Sequence, residues 1–277
     1  MRRLMIASVA GAAVLASLPV VAQQVREGVK LPPASFVRLF YSAKKVEGVA
    51  AVQYRQLREQ ATRSKAILPV DDPQTQRVQR LINEMLPHTH KWHKRAKDWN
   101  WEVVLIKSPA INALCMPGGK IAVFTGILET LKLTDDEAAM VIGHEMAHAL
   151  REHARERAAK NMLHNASAMA MSVLIGGGAG DLTRMGGGLL SLSYNRGNEK
   201  EADLVGMELA ARAGYDPRAA LTLWEKMGKV MKLNKSRWLS THPTGDQRAA
   251  LIKANLSDVL PLYERARAGM PPRPPTK

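Results

Sequence analysis

The residues in this chain best suited to chemistry are His144 and His148, which belong to a His-Glu-x-x-His motif with Glu145 between them. Positions four apart lie on one face of a helix, so both imidazoles can point at a single ion. Neutral imidazole is a good zinc ligand, and two leave room for a third protein ligand and a water molecule. Glu145 lies beside that face, where its carboxylate can reach the water. The motif therefore predicts a zinc site with its own base, the pattern of zinc metallopeptidases.

The flanking residues predict the helix that this motif requires. Thr134 and Glu137 have the spacing of an N-cap with its capping-box glutamate. An apolar run over 138–142 follows and leads directly into the motif. We expect one helix from Asp135 to about Asn165.

The third ligand must come from elsewhere in the chain. A metzincin would have glycine and histidine where this chain has Arg151 and Ala154, which excludes that class. His153 lies five residues after His148, about 140° further round a continuous helix, so it is expected to face away from the metal.

A second acidic segment supplies candidates for the missing ligand. Glu199 and Asp203 are four residues apart and share a helix face, whereas Glu201 falls on another. We interpret Glu199 as a metal ligand and Asp203 as the acceptor that fixes the tautomer of a ligating histidine. The alternative is a solvated acidic helix face.

Four segments, 112–121, 133–148, 196–203 and 240–243, occur in this order. Together they resemble the HtpX-like gluzincin peptidases, which include the CAAX prenyl proteases. Within them the chain is most similar to the soluble or lipid-anchored envelope branch, LoiP-like and BepA-like. The resemblance covers about residues 53–251.

The resemblance implies one zinc per chain, with His144, His148 and Glu199 as ligands and Glu145 as general base. It also implies an active-site histidine at His242. That side chain has two possible roles: it stabilises the oxyanion, or it caps the zinc as a fourth ligand and keeps the enzyme silent.

A short strand before the motif is the expected substrate site. Extended peptide can pair with its backbone, which admits many sequences. The residues assigned to this site are Asn112, Ala113, Leu114 and Cys115.

The order of elements predicts a mostly helical α+β fold of zincin type, with a small antiparallel sheet beside the active-site helix. The expected strands are 101–107, 112–116 and 121–125. A helical N-terminal part over 35–97, with helices at 35–65 and from Asp72 to Pro87, should precede a catalytic core over 98–251. Further helices are expected near Asn198 and Pro217.

The chain ends suggest an exported protein. Residues 1–22 combine a basic start, an apolar core and small residues before Gln23, which predicts a signal peptide cleaved after Ala22. An uncleaved anchor is the alternative. We expect a single domain over 23–262 and a disordered tail over 263–277. The one cysteine, Cys115, excludes an internal disulfide.

The formal charge of +15 is spread along the chain without aromatic stacking motifs. We therefore expect no nucleic-acid partner. A basic surface that can associate peripherally with an envelope membrane explains the charge. His88, His90 and His93 are interpreted as a solvated surface rather than a second metal site.

These features together predict a periplasmic zinc metalloendopeptidase that degrades unfolded or misassembled envelope proteins. Two other classes remain open: a proteolytically silent chaperone that uses the same groove, and a structural envelope protein stabilised by zinc.

Overall fold

A computed structural model describes residues 28–174, 193–231, 242 and 246–269. The fold is α+β and mostly helical, as predicted. The described helices, which we name in chain order, are α1 (Ala43–Arg63), α2 (Pro73–Met85), α3 (Thr125–Thr130), α4 (Asp135–Leu150), α5 (His153–Leu174), α6 (Arg196–Arg212), α7 (Ala219–Met231) and α8 (Asp246–Ala268). Short 3₁₀ helices cover Phe36–Phe40, Leu86–Lys91 and Lys94–Asp98. The strands are β1 (Glu102–Ile106), β2 (Ala113–Met116) and β3 (Lys120–Phe124).

The motif helix α4 begins where the sequence predicts. Thr134 accepts a hydrogen bond from the backbone of Glu137, whose side chain accepts one from the backbone of Thr134, so the capping box is complete. The predicted end of this helix is wrong. α4 stops at Leu150, Glu152 takes a left-handed φ of 58°, and α5 begins anew at His153.

The three strands form a sheet in the order β1-β3-β2. β2 and β3 are an antiparallel hairpin, and β1 lies parallel to β3 on its other side. The sheet is therefore mixed: β2 and β3 pair antiparallel as expected, whereas β1 pairs parallel because the segment between β1 and β2 carries the chain across to the far edge. Gly118 and Gly119 make the hairpin turn with φ of 83° and 77°, which favours glycine.

The active-site helix is buried along nearly its whole length and packs most closely against α6. At their crossing, a Cβ on Gly143 would lie 2.7 Å from the carbonyl oxygen of Gly206, and a Cβ on Gly206 would lie 2.6 Å from the amide nitrogen of His144. Only glycine permits this approach. The close crossing brings the side chains of α6 within reach of the His-Glu-x-x-His motif.

Two further boundaries differ from expectation. The helix predicted over 35–65 is divided into a 3₁₀ turn and α1, because Ser42 caps α1 by accepting from the backbone of Lys45. The tail expected from residue 263 is helical as far as Ala268. Residues 1–22, 175–192 and 270–277 lie outside the described part of the chain, and the single domain over 23–262 stays a prediction.

Among the described residues, no helix combines the length and the apolar character that crossing a membrane requires.

Candidate metal centre

Four buried side chains converge between α4 and α6: His144, His148, Glu199 and His242. Each offers one ligand atom, and these atoms all lie within 4.8 Å of one another. The Nε2 atoms of His144 and His148 are 3.1 Å apart. His242 Nδ1 lies 3.2 Å from His144 Nε2 and 3.2 Å from Glu199 Oε1. His148 Nε2 lies 3.5 Å from that same carboxylate oxygen.

These separations fit zinc. Ligands about 2.0–2.1 Å from a tetrahedral ion lie roughly 3.3–3.4 Å from one another, the edge of the tetrahedron. Four of the six separations among the donor atoms are 3.1, 3.2, 3.2 and 3.5 Å, and all six are within 4.8 Å. Three imidazole nitrogens and one carboxylate oxygen are also the donor types that zinc prefers. The donor set can therefore hold one zinc ion.

Glu145 is buried beside this cluster and does not belong to it. Its Oε1 atom lies 3.4 Å from His242 Nε2, on the side of that ring opposite the shared donors. The carboxylate of Glu145 is therefore close to the donor atoms without being one of them, and it could accept a proton there.

Asp203 takes the predicted place behind the first histidine. Its Oδ1 lies 3.1 Å from His144 Nδ1, the ring atom turned away from the cluster. Burial lowers the pKa of His144, but hydrogen bonds to Asp203 and Glu199 outweigh it and raise that pKa to about 9. Zinc binding must displace the proton from Nε2, whereas the one on Nδ1 can stay on Asp203.

Arg248 is a site residue that the sequence reasoning missed. It is buried, donates to both carboxylate oxygens of Asp203 at 2.7 and 2.6 Å, and lies over the ring of Trp224 at 3.9 Å. Its Nη1 is 2.8 Å from Glu199 Oε2, an ion-pair contact without hydrogen-bond geometry. This guanidinium compensates two buried carboxylates that would otherwise repel each other.

The carboxylate of Glu199 is held in its charged form. Burial raises its pKa, but hydrogen bonds and the charges of His144 and His242 outweigh that effect and hold the pKa well below the usual range. An ionised carboxylate is the form that binds a metal.

His148 is completely enclosed. Burial, followed by the charge of His144, lowers its pKa well below the usual value, so the ring is neutral, as a ligand requires. The ring of Tyr194 stacks on it with centroids 3.8 Å apart and planes 21° from parallel.

His153 lies outside the donor cluster, as expected, but its ring contacts His148 instead of turning away from it. Its Nδ1 lies 2.9 Å from His148 Nδ1 on the side opposite the cluster. The expected offset of about 140° between the two histidines is wrong, because it assumed a continuous helix and the chain breaks at Glu152.

The expected substrate strand lies against the active-site helix. β2 has β3 on one side, with the carbonyl of Asn112 accepting from the amide of Phe124, and no described strand on the other. Ala113 and Cys115 are buried and Leu114 is half-buried. Burial, and then the charge of Glu145, raise the pKa of the Cys115 thiol, so it is an inert packed side chain.

No other group of described residues could hold a metal in this way. His90 Nδ1 contacts the carbonyl of Pro87, and the ring of His93 packs on Trp99 at 4.6 Å. His90 is exposed, whereas His88 and His93 are half-buried, so the expectation of a solvated surface holds for His90 alone.

Comparison with known proteins places the chain among peptidases. The model of peptidase family M48 matches residues 72–256. The mitochondrial metalloendopeptidase OMA1 of Arabidopsis thaliana is 42% identical over 173 residues, covering 61% of this chain and 35% of that protein. Metalloprotease LoiP of Escherichia coli is 28% identical over 162 residues, covering 57% of this chain and 63% of LoiP.

The beta-barrel assembly-enhancing protease of Escherichia coli is 29% identical over 184 residues, covering 57% of this chain and 35% of that protein. The expected likeness to LoiP and the latter protease (BepA) is present, but at lower identity than the likeness to the mitochondrial enzyme. The chain spans between about a third and less than two thirds of the length of these relatives. The matched region contains α2 through the first half of α8 and every donor of the cluster, and the chain belongs to peptidase family M48.

Proposed function

We propose that this protein is a zinc-dependent metalloendopeptidase. The observation that carries the proposal is the buried cluster of three imidazole nitrogens and one carboxylate oxygen, all within 4.8 Å of one another, with the carboxylate of Glu145 beside it. We assign His144, His148 and Glu199 as the zinc ligands and Glu145 as the general base.

When bound, zinc supplies a Lewis acid that acidifies water and polarises a peptide carbonyl. Glu145 accepts the proton of the attacking water and then donates it to the leaving amine. Asp203 holds His144 with its Nε2 toward the cluster, and Arg248 keeps Asp203 and Glu199 charged and fixed. The buried setting excludes bulk water, which strengthens each of these interactions.

The substrate is proposed to lie as an extended chain along the outer edge of β2. That edge has no strand partner among the described residues, and β2 packs against α4, which carries Glu145. Backbone pairing positions a peptide bond without reading its side chains, which suits unfolded substrates of varied sequence. Asn112, Ala113, Leu114 and Cys115 are the residues proposed to pair.

His242 is proposed to cap the zinc site rather than to assist the reaction. Its Nδ1 is 3.2 Å from a donor atom of each of His144 and Glu199, the position of a fourth ligand. In that position it competes with the attacking water.

We therefore expect His242→Ala to raise hydrolysis of an unfolded substrate about threefold or more, as the capped population is released. Initial rates on fluorescent casein, with zinc content measured on the same samples, check this. The exposed His90→Ala is the matched control and should behave as the wild type. An unchanged or lower rate with zinc retained would make capping wrong, and about a tenfold fall would mark His242 as catalytic.

The natural substrates are proposed to be unfolded or misassembled proteins of a bacterial cell envelope. The names of the beta-barrel assembly-enhancing protease and of LoiP are compatible with this, and the signal-like residues 1–22 support export. The more similar relative from Arabidopsis thaliana is named as a mitochondrial enzyme, so the envelope location rests on residues 1–22 and on the two Escherichia coli relatives. Amino-terminal sequencing of protein from an envelope fraction should begin at Gln23, and a start at Met1 would favour an uncleaved anchor.

The experiment that tests the proposal compares casein and a denatured outer-membrane protein with the same membrane protein in folded form. An endopeptidase cleaves the two unfolded chains internally, which mass spectrometry of the fragments detects. A chaperone that uses the same groove would slow their aggregation and leave them intact, and a structural zinc protein would do neither.

A further inference from the structure

The Nδ1 side of the His148 ring, which points away from the donor cluster, contacts a second buried imidazole. The Nδ1 atoms of His148 and His153 lie 2.9 Å apart, and each residue is 1% exposed. Two imidazole nitrogens at this distance share one hydrogen, so one must donate and the other accept. The contact therefore fixes the tautomers of both rings together.

The surroundings decide which ring donates. His148 Nε2 faces the donor cluster, 3.1 Å from His144 Nε2, and a ligating nitrogen carries no proton. The remaining proton of His148 is then on Nδ1, which donates to His153 Nδ1. The proton of His153 is consequently on its Nε2, which lies 3.4 Å from Glu201 Oε2.

Glu201 is the last acceptor in a row of three contacting side chains, His148, His153 and Glu201. The same Oε2 atom accepts from Arg151 Nε at 2.7 Å, so the carboxylate is held charged and in place. The row runs from His148 through His153 to Glu201 with one consistent direction of donation.

We propose that His153 is a positioning residue of the zinc site, which accepts the Nδ1 proton of His148 and holds its Nε2 bare toward the metal. This inference rests on the proposed role of His148 as a ligand. It assigns the second histidine a partner different from that of the first, whose Nδ1 faces the carboxylate of Asp203 directly.

The difference between the two partners has a physical reason. Arg248 compensates the buried charge of Asp203, whereas the surroundings of His148 contain several other imidazoles. The direct partner of His148 is the neutral ring of His153. The carboxylate, that of Glu201, contacts His153 instead, and its side chain is 19% exposed. The desolvation cost of that charge is thereby smaller.

The helix break is what makes the contact possible. On a continuous helix His153 would lie about 140° away from His148. Glu152 instead adopts a left-handed φ of 58°, unfavourable for a residue other than glycine or asparagine. Its carboxylate is anchored by Arg38 at 2.9 Å and Arg155 at 2.8 Å, which stabilises the turn.

The test measures zinc affinity directly, by competition with a chromogenic chelator. His153→Ala should weaken zinc binding about 10–100-fold, the usual effect of removing a partner of a ligating histidine. His153→Asn should recover most of the affinity, because its amide oxygen can take the place of the accepting Nδ1. His90→Ala is the control and should bind zinc as the wild type does.

Thermal unfolding of the metal-free proteins separates positioning from a merely structural role. The proposal requires the order of affinities wild type, Asn, Ala among variants that remain folded without metal. It is overturned if His153→Ala binds zinc as tightly as the wild type, or if His153→Asn loses as much affinity as His153→Ala. A wild-type protein that bound no zinc would instead contradict the proposed function itself.

Discussion

Replacing Glu145 with glutamine is expected to remove nearly all peptide hydrolysis while leaving the zinc in place. The side chain stands beside the donor cluster and is not one of its members, so the amide should not disturb metal binding. An amide cannot accept the proton of the attacking water, and loss of a general base typically costs about 10²–10⁴-fold in rate. Turnover of casein, measured together with zinc content by elemental analysis, gives both results from one preparation.

The matched control is Glu129→Gln, which makes the same chemical change at an exposed position of α3. It should retain wild-type turnover. If Glu145→Gln kept more than about a tenth of wild-type turnover, the base would have to be another residue. The same variant isolates the chaperone alternative, since a binder of unfolded chains needs no base and would protect them from aggregation undiminished.

His148→Ala is expected to lower zinc occupancy from about one ion per chain to a small fraction, and to abolish hydrolysis with it. The mutation removes one of four donors and also breaks the contact with His153. It further leaves the ring of Tyr194 without its stacking partner.

Elemental analysis of His148→Ala and of the exposed His90→Ala, purified in parallel, measures the effect. Circular dichroism of both shows whether the fold is retained. Full zinc occupancy in a folded His148→Ala protein would remove His148 from the ligand set, and with it the geometric basis of the proposed function.

The parts of the site that depend on local sequence could be predicted. His144, Glu145 and His148 follow from helical spacing, and the capping box at Thr134 fixes the start of their helix. Glu199 and Asp203 lie four residues apart on α6, and this spacing alone predicts that they share a helix face. In the structure these residues lie where that spacing places them.

The parts that depend on tertiary packing could not be predicted. Arg248 lies in α8 and reaches Asp203 and Glu199 only because α8 packs on α6. A lone arginine in an ordinary helical stretch gives no sequence signal of such a role. Tyr194 is similar, since its stacking on His148 depends on how the chain enters α6.

The contact of His153 with His148 could not be predicted for a more specific reason. The residues after the motif, including Arg151 and Glu152, show no glycine, asparagine or proline that would mark a helix end. The break is instead stabilised by ion pairs of Glu152 with Arg38 and Arg155. Arg38 is more than a hundred residues away in the chain, so a reading of local residues could not find it. The parallel pairing of β1 with β3 could not be predicted for the same reason, because the two strands are not adjacent in the chain.

The most direct test of the central claim is a zinc titration of metal-free protein with casein cleavage as the readout. Protein stripped with a chelator should be inactive, and activity should return in proportion to added zinc until about one equivalent per chain is bound. The same titration of Glu145→Gln should take up zinc without cleavage. Casein cleavage that persisted in fully stripped protein, or that failed to follow zinc occupancy, would contradict the assignment of this site as a zinc peptidase centre.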